Sequence, residues 1–236
     1  MRIALPNSSA TFPFCKGLLL MSALLLVRAE NCFSQQPAFG EPVDQGVVEA
    51  KQINEASGLA ASRLFPGVLY THNDSGDRGR VFAIDDQGAL LATIVLNGVI
   101  ARDCEDIAAG IGPKEGAAYL YLADIGDNNA EHTNSRIYRF PEPEIRLSDR
   151  GRVIVLDTVE TIAFAYPEGP RDAETLLSDP LTGDLFIVSK REEPCRLYRL
   201  PFPQKSGMVM TAEAVGALPL TLAVGGDISA DGAEVL

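Results

Sequence analysis

Short apolar runs, separated by glycine, proline or acidic residues, recur along most of the chain. They are rich in Val, Ile, Leu, Tyr and Phe, and they include GVLYTHN, RVFAID, LLATIVL, AYLYLAD, SRIYRF, DLFIVSK and CRLYRL. Runs of this length and composition, bounded by turn-forming residues, predict β-strands. After the first thirty residues, only 46–53 carries a pattern that a helix could share, and its period is weak. The sequence therefore predicts an all-β fold.

The predicted strands recur as sets of four. Each set opens with an acid-led apolar stretch (NEASGLAAS, DCEDIAAGIG, DAETLLSDP), and the opening acids are taken as Glu55, Glu105 and Glu174. A glycine-containing turn and a second strand follow, and then an arginine with two apolar residues. Four antiparallel strands repeated in this way are typical of the blades of a β-propeller. A β-sandwich also contains many short strands, but it does not explain three copies of one pattern.

The repeats divide the chain into predicted blades at about 53–100, 101–168 and 171–222, with the start of a fourth at 224–236. The last stretch, VGGDISADGAEVL, stops inside its second predicted strand. A propeller needs four or more blades to close its ring. The sequence thus predicts a partial β-propeller over 43–236, with about three complete blades of a truncated six-bladed ring.

The amino-terminal residues have the features of an export signal. No acid precedes Glu30, Arg2 and Lys16 are positive, and the apolar run GLLLMSALLLV follows. This run is about half of the roughly twenty residues that a membrane-spanning helix needs. We predict a signal peptide over 1–29, a polar lead-in over 30–42, a secreted protein and no membrane span after cleavage.

Charge and cysteine content narrow the range of partners. The formal net charge is −12, which disfavours binding to nucleic acid or anionic lipid, so the predicted partner is a small molecule or an ion. The cysteines show no Cys-x-x-Cys spacing, which argues against a zinc site. Cys104 and Cys195 could form a disulfide in an exported protein, or remain as buried free thiols.

Acidic residues are expected to gather at one end of the predicted blades. An innermost strand begins on the face where the antiparallel second strand ends, so acids at both places converge on the mouth of the central channel. The phrases HNDSGD and LADIGDNN would then be one site element copied between blades. The predicted ligand-binding residues are Glu55, Asn73, Asp74, Asp103, Glu105, Arg136, Glu174 and Lys190.

Crowded carboxylates raise one another's proton affinity unless positive charge lies among them. Three sources of that charge are open. The recurring Arg80, Arg136 and Arg196 could form structural ion pairs, with Asp and Asn shaping turns. A calcium ion, which takes about six to eight oxygen ligands, could bind instead. A cationic or polyhydroxylated ligand is the third. The predicted metal ligands are Asp124, Asp127 and Asn128.

The chain lacks the sequence motifs of the common hydrolase, phosphate-binding and dinucleotide-binding sites. The catalytic candidates are Glu105 and His72, which is either oriented as a general base or simply solvated at a strand end. The main prediction is a secreted propeller that binds a ligand or a divalent cation, calcium favoured. The alternative is a metal-dependent hydrolase or lactonase with Glu55, Glu105 and Asp124 around a water-activating ion, and a glycosidase is a third option. Lys190 replaces an acid in the third blade, which makes the site asymmetric.

The segments NEASGL, THNDSG, DCEDIA, LADIGDN and SADGAEVL together resemble secreted bacterial six-bladed propellers of the TolB-like kind. The resemblance covers about 53–236. Ala230 stands where TolB-type turns have proline, and Cys104 stands where the relatives tend to have tryptophan, so a stacking role at that position does not carry over. The resemblance implies a fold and a secreted location, and it implies no particular reaction.

Overall fold

The computed structural model describes Val43–Leu236. The predicted signal peptide (1–29) and polar lead-in (30–42) lie outside the described residues. From residue 43 onward the chain forms fourteen β-strands and no helix, which confirms the all-β prediction. Within the same range, no helix is long and apolar enough to cross a membrane.

The strands form three sheets. The first contains, in spatial order, β1 (Ala56–Ala61), β2 (Val68–Asn73), β3 (Arg80–Asp85), β4 (Leu90–Leu96) and β8 (Arg152–Leu156). The second contains β5 (Cys104–Ile111), β6 (Ala118–Asp124), β7 (Ser135–Pro141), β9 (Glu160–Ala165) and β13 (Val209–Thr211). The third contains β10 (Ala173–Ser178), β11 (Leu185–Ser189), β12 (Cys195–Leu200) and β14 (Glu213–Leu218).

Each sheet is built on four antiparallel strands, as the repeats predict, but two sheets also take a strand from the next repeat. Strand β8 pairs in parallel with β4, and β13 pairs in parallel with β9. The apolar stretch VIVLDTVETIAFAY, which looks like one run in the sequence, is therefore divided between β8 in the first sheet and β9 in the second. Strand β8 therefore connects the first sheet to the second repeat, and β13 connects the second sheet to the third repeat.

The first strands of the three sheets lie next to one another in the order β1, β5, β10. Two hydrogen bonds connect them: Ser57 Oγ to the Glu105 carbonyl (2.8 Å) and the Leu176 N–H to Asp106 Oδ2 (2.8 Å). A third runs from Arg63 Nε, two residues after the end of β1, to the Ala109 carbonyl of β5 (3.1 Å). The contacts advance together along β1 and β5, so these two strands run in the same direction.

The second sheet is buried on both faces. In β6, Leu120 and Leu122 pack into the core shared with the first sheet, whereas Tyr119, Tyr121 and Ala123 pack into the core shared with the third. This alternation follows from the two-residue period of a strand. It explains why AYLYLAD reads as a continuous apolar run, and it places the second sheet between the other two.

Strand pairing also corrects the alignment of the repeats. Ala56 pairs with Asn73, Cys104 pairs with Asp124 and Ala173 pairs with Ser189, and a bulge follows the first member of each pair. Glu55, Asp103 and Asp172, which precede these first members, are therefore equivalent. The predicted equivalence of Glu55 with Glu105 and Glu174 is wrong by two residues, because the position equivalent to Glu105 in the first sheet is Ser57. The sequence hides the shift because either position can carry an acid.

Both candidate disulfide cysteines are buried free thiols. Cys104 packs in the core between the first two sheets, and Cys195 packs in a smaller cluster on the third sheet. Burial, followed by the charge of nearby acids such as Asp124, raises the pKa of Cys104 well above its usual value. Of the two alternatives that the sequence leaves open, the structure shows the free thiols.

Candidate functional site

Three carboxylates meet where the first and second sheets adjoin, and we call this group the acidic cluster. Asp74 directly follows β2, Asp103 directly precedes β5, and Glu105 is the second residue of β5. One carboxylate oxygen from each residue lies within 4.8 Å of the others. Asp103 is partly exposed, whereas Glu105 is only 5% exposed. Both strand ends contribute to the cluster, as the antiparallel arrangement predicts.

The loop that carries Asp103 is fixed by Asp124, the last residue of β6. Asp124 Oδ1 accepts hydrogen bonds from the backbone N–H groups of Arg102 (3.2 Å) and Asp103 (2.9 Å). Its Oδ2 accepts a hydrogen bond from the Tyr138 hydroxyl (3.0 Å) and lies 3.7 Å from Arg102 Nε. Both oxygens of this fully buried carboxylate therefore have protein partners. Asp124 therefore positions the loop of Asp103 and is not itself a member of the acidic cluster.

The acidic cluster has an excess of negative charge. Burial, followed by the charges of Glu174 and Asp103, raises the pKa of Glu105 to about 8. Burial and the charge of Asp74 also raise the pKa of Asp103. Among the described residues, neither carboxylate accepts a hydrogen bond or forms an ion pair. Carboxylates held together in this way bind a proton or a cation strongly, because either one removes the mutual repulsion.

The third sheet supplies further acids beside the cluster, and these are neutralised. Glu174 forms an ion pair with Lys190. Asp172 Oδ2 lies 2.7 Å from Arg191 Nε, and Asp172 Oδ1 accepts the backbone N–H of Asp127 (2.9 Å). The predicted residues Glu174 and Lys190 thus lie together, and their charges cancel. The acidic cluster proper comes from the first two sheets.

The predicted metal ligands Asp124, Asp127 and Asn128 do not join the acidic cluster. Asp127 Oδ1 and Oδ2 accept the backbone N–H groups of Glu131 (2.9 Å) and His132 (2.8 Å), which closes the loop after β6. Asn128 accepts a hydrogen bond from Arg191. The side-chain oxygens of Asp124, Asp127 and Asn128 are therefore occupied by hydrogen bonds from nearby backbone N–H groups and from Arg191.

The two acidic phrases HNDSGD and LADIGD are offset by one residue in the structure. The equivalent of Asp124 is Asn73, whose Oδ1 accepts the backbone N–H groups of Asn54 (3.2 Å) and Glu55 (3.3 Å). Asn73 and Asp124 thus have the same role, because each fixes the loop that leads into the first strand of its sheet. Asp74, the next residue, is the one that enters the acidic cluster. The predicted ligand residue Asn73 therefore lies beside the cluster as a support for its loop.

The recurring arginines do not form a ring of ion pairs. Arg80 pairs with Asp77, with 2.7 Å between Nε and Oδ2. Within the described part of the chain, Arg136 and Arg196 form no ion pair. The predicted residue Glu55 lines a separate open cavity of about 290 Å³ together with Arg80. Arg136 lines another cavity, of about 260 Å³. The countercharge for the acids comes instead from Arg102, Lys190 and Arg191.

His72 lies inside β2 and is 1% exposed. Its Nε2 accepts the backbone N–H of Gly58 (3.2 Å), and its Nδ1 donates to the Asn73 carbonyl (2.8 Å). Burial lowers the pKa of His72, so the ring is neutral. His72 is near the end of β2, as the sequence predicts, but it is buried rather than solvated, and both of its nitrogens have backbone partners.

One buried acid next to the cluster was missed by the sequence reasoning. Asp106 is 1% exposed, and burial raises its pKa to about 7. Its carboxylate accepts the backbone N–H groups of Ile107 and Leu176, both at 2.8 Å, and its Oδ1 lies against Gly58 of β1. Asp106 thus contacts the first strand of each of the other two sheets, β1 and β10. The signal in the sequence was an acid inside the apolar run DCEDIAAGIG.

Gly126 offers a test of the cluster that leaves its carboxylates in place. A β-carbon at this buried position would overlap Glu105 Oε1 and Asp103 Oδ2. We expect Gly126→Ala to weaken cation binding about 10- to 100-fold, the range seen when groups that orient metal ligands are altered. Titration calorimetry measures the effect. The control is Gly216→Ala, where no atom lies within 4 Å of the added carbon. Equal affinities in the two variants would contradict the placement of the site.

No protein-family model matches the chain, and no curated protein matches it either. The resemblance to TolB-like propellers therefore stays a prediction.

Proposed function

We propose that this protein is an exported β-propeller that binds a divalent cation, with calcium preferred, at the acidic cluster. The observation that carries the proposal is the meeting of Asp74, Asp103 and Glu105, whose oxygens lie within 4.8 Å of one another. Oxygens bound to one calcium ion at about 2.3–2.6 Å can be at most about 5 Å apart. One ion placed among the three carboxylates could therefore contact all of them with little rearrangement.

The burial of Glu105 favours a bound cation at the acidic cluster. A carboxylate that is 5% exposed and has no partner among the described residues is costly to keep ionised. A bound cation removes that cost and supplies the countercharge that Arg102, Lys190 and Arg191 give to the neighbouring acids. Asp124 and Asp127 need no such cation, because their oxygens already accept hydrogen bonds.

The chemistry of the acidic cluster favours calcium over other common cations. All three side chains are carboxylates, and neither histidine nor cysteine contributes, which disfavours zinc and copper. Calcium accepts irregular sets of oxygen ligands and fills remaining positions with water or backbone carbonyls. Magnesium is smaller and demands a nearly ideal octahedron, so we expect it to bind more weakly here.

The propeller part of the proposal is supported by the way the sheets meet. The innermost strands β1, β5 and β10 lie side by side in chain order, and the middle sheet is buried on both faces. Sheets that are rotated copies about a shared axis have this arrangement. The acidic cluster would then lie at one end of that axis. The apolar run over 17–27 supports export.

The hydrolase alternative has less support. It requires Glu55, Glu105 and Asp124 around one ion, whereas Asp124 holds the loop of Asp103 and Glu55 lines a different cavity. We therefore propose binding rather than turnover as the function of the acidic cluster.

Thermal unfolding with and without calcium tests the proposed function. A ligand present at a hundredfold excess over its Kd stabilises the folded state by about 2.7 kcal/mol. For a domain of this size, that free energy corresponds to a rise in Tm of about 5–10 °C. We expect this rise in calcium, a smaller one in magnesium, and its reversal by a chelator. An unchanged Tm at millimolar calcium would contradict the proposal.

A further inference from the structure

Lys190 occupies the position in the third sheet that Asp74 occupies in the first. The backbone N–H of Asp74 donates to the Glu55 carbonyl, and the backbone N–H of Lys190 donates to the equivalent Asp172 carbonyl. One position next to the innermost strands thus carries a cluster carboxylate in the first sheet and an ammonium group in the third. The difference is local, because the surrounding strand pairing is the same in both sheets.

Glu174 is the counterpart of Glu105, and its charge reaches the acidic cluster. Glu174 has the same position in β10 that Glu105 has in β5, and these two strands are neighbours. Yet Glu174 is held by the Lys190 ammonium group, and both side chains are largely buried, with 12% and 21% of their surfaces exposed. A fourth carboxylate therefore lies beside the cluster and is occupied by a cation that belongs to the chain itself.

We propose that Lys190 holds Glu174 out of the coordination shell of the bound cation and thereby sets the affinity of the site. This inference depends on the proposed function, and it adds the residue that limits the number of carboxylate ligands. With Lys190 in place, the ion takes Asp74, Asp103 and Glu105, and water fills the remaining positions. Without it, Glu174 becomes available as a fourth carboxylate. Calcium affinity in proteins rises with the number of charged ligands.

The test compares the wild-type protein with Lys190→Met, which keeps most of the aliphatic stem and removes the charge. Calorimetry with calcium should give a Kd about tenfold lower in the variant, because the fourth carboxylate adds a charged ligand. Terbium luminescence lifetimes in light and heavy water count the water molecules on the bound ion. We expect at least one fewer in Lys190→Met, since a Glu174 oxygen takes the place of water. Lys114→Met, at an exposed position in the β5–β6 connection, is the matched control and should change neither quantity.

The outcomes separate this inference from the proposed function. If the wild type binds calcium and Lys190→Met binds it no more tightly, Lys190 does not limit the site and the inference fails. It also fails if the variant binds more tightly with an unchanged water count, because loss of a nearby positive charge then explains the gain. If neither protein binds calcium or terbium, the proposed function itself fails and the inference fails with it.

Discussion

Replacing Glu105 with glutamine is expected to weaken calcium binding about 100-fold or more, because the site loses one of three charged ligands and its most buried one. In the absence of calcium the same change should raise the Tm at pH 7. The folded pKa of Glu105, about 8, lies above the ordinary glutamate value of about 4.5, so at pH 7 the wild-type protein must bind a proton there when it folds. A glutamine does not have this cost. Thermal unfolding with and without calcium measures both effects in one set of samples.

The opposite signs of these two effects make the Glu105→Gln result specific. Glu115→Gln, at an exposed position beyond the other end of β5, is the control and should leave both curves unchanged. A variant that loses stability equally in calcium and in chelator would show that Glu105 has a structural role. It would also remove the main support for a cation site.

Asp106→Ala is expected to lower the free energy of unfolding by about 2–4 kcal/mol, because it leaves buried N–H groups without an acceptor. The Leu176 N–H is the most important of these groups, since its hydrogen bond connects β5 of the second sheet to β10 of the third. Chemical denaturation measures the loss. Asp86→Ala, at an exposed turn, is the control and should cost less than about 0.5 kcal/mol.

Asp106 also predicts a dependence of stability on pH. Its folded pKa of about 7 lies above the value of about 3.9 for an unfolded aspartate, so the folded state binds its proton more tightly. The stabilisation from this proton is complete below about pH 4 and is lost as the pH rises through about 7. In chelator, Asp106→Asn should therefore show a flatter stability profile between these pH values than the wild type. A profile as steep as that of the wild type would contradict this account.

The strand content of the fold was readable from the sequence, whereas the exchange of strands between sheets was not. The pattern of apolar residues in the sequence indicates which residues of a strand are buried. It correctly predicts β5, β6 and β7 as three separate strands. It carries no information about which sheet a strand joins. Strand β8 therefore looked like the beginning of β9, although it pairs with β4 through parallel hydrogen bonds.

The sequence also located the end of the sheets where the acids gather, but it could not assign their roles. Asp74, Asp103 and Glu105 were all among the predicted ligand residues, and they meet. Asp124 looked equally suitable, because sequence cannot show that its oxygens face the backbone N–H groups of the preceding loop. The bulges near the start of β1 and β5 shift the repeats by one or two residues, and this shift decides which acid faces the cluster.

A crystal structure of the protein grown in calcium, with anomalous scattering recorded from the ion, tests the central claim most directly. The account predicts an anomalous peak at about 2.3–2.6 Å from carboxylate oxygens of Asp74, Asp103 and Glu105. Glu174 should remain paired with Lys190 in the same crystal. A peak at DIGDNN instead, or three carboxylates with no ion among them at saturating calcium, would contradict the account.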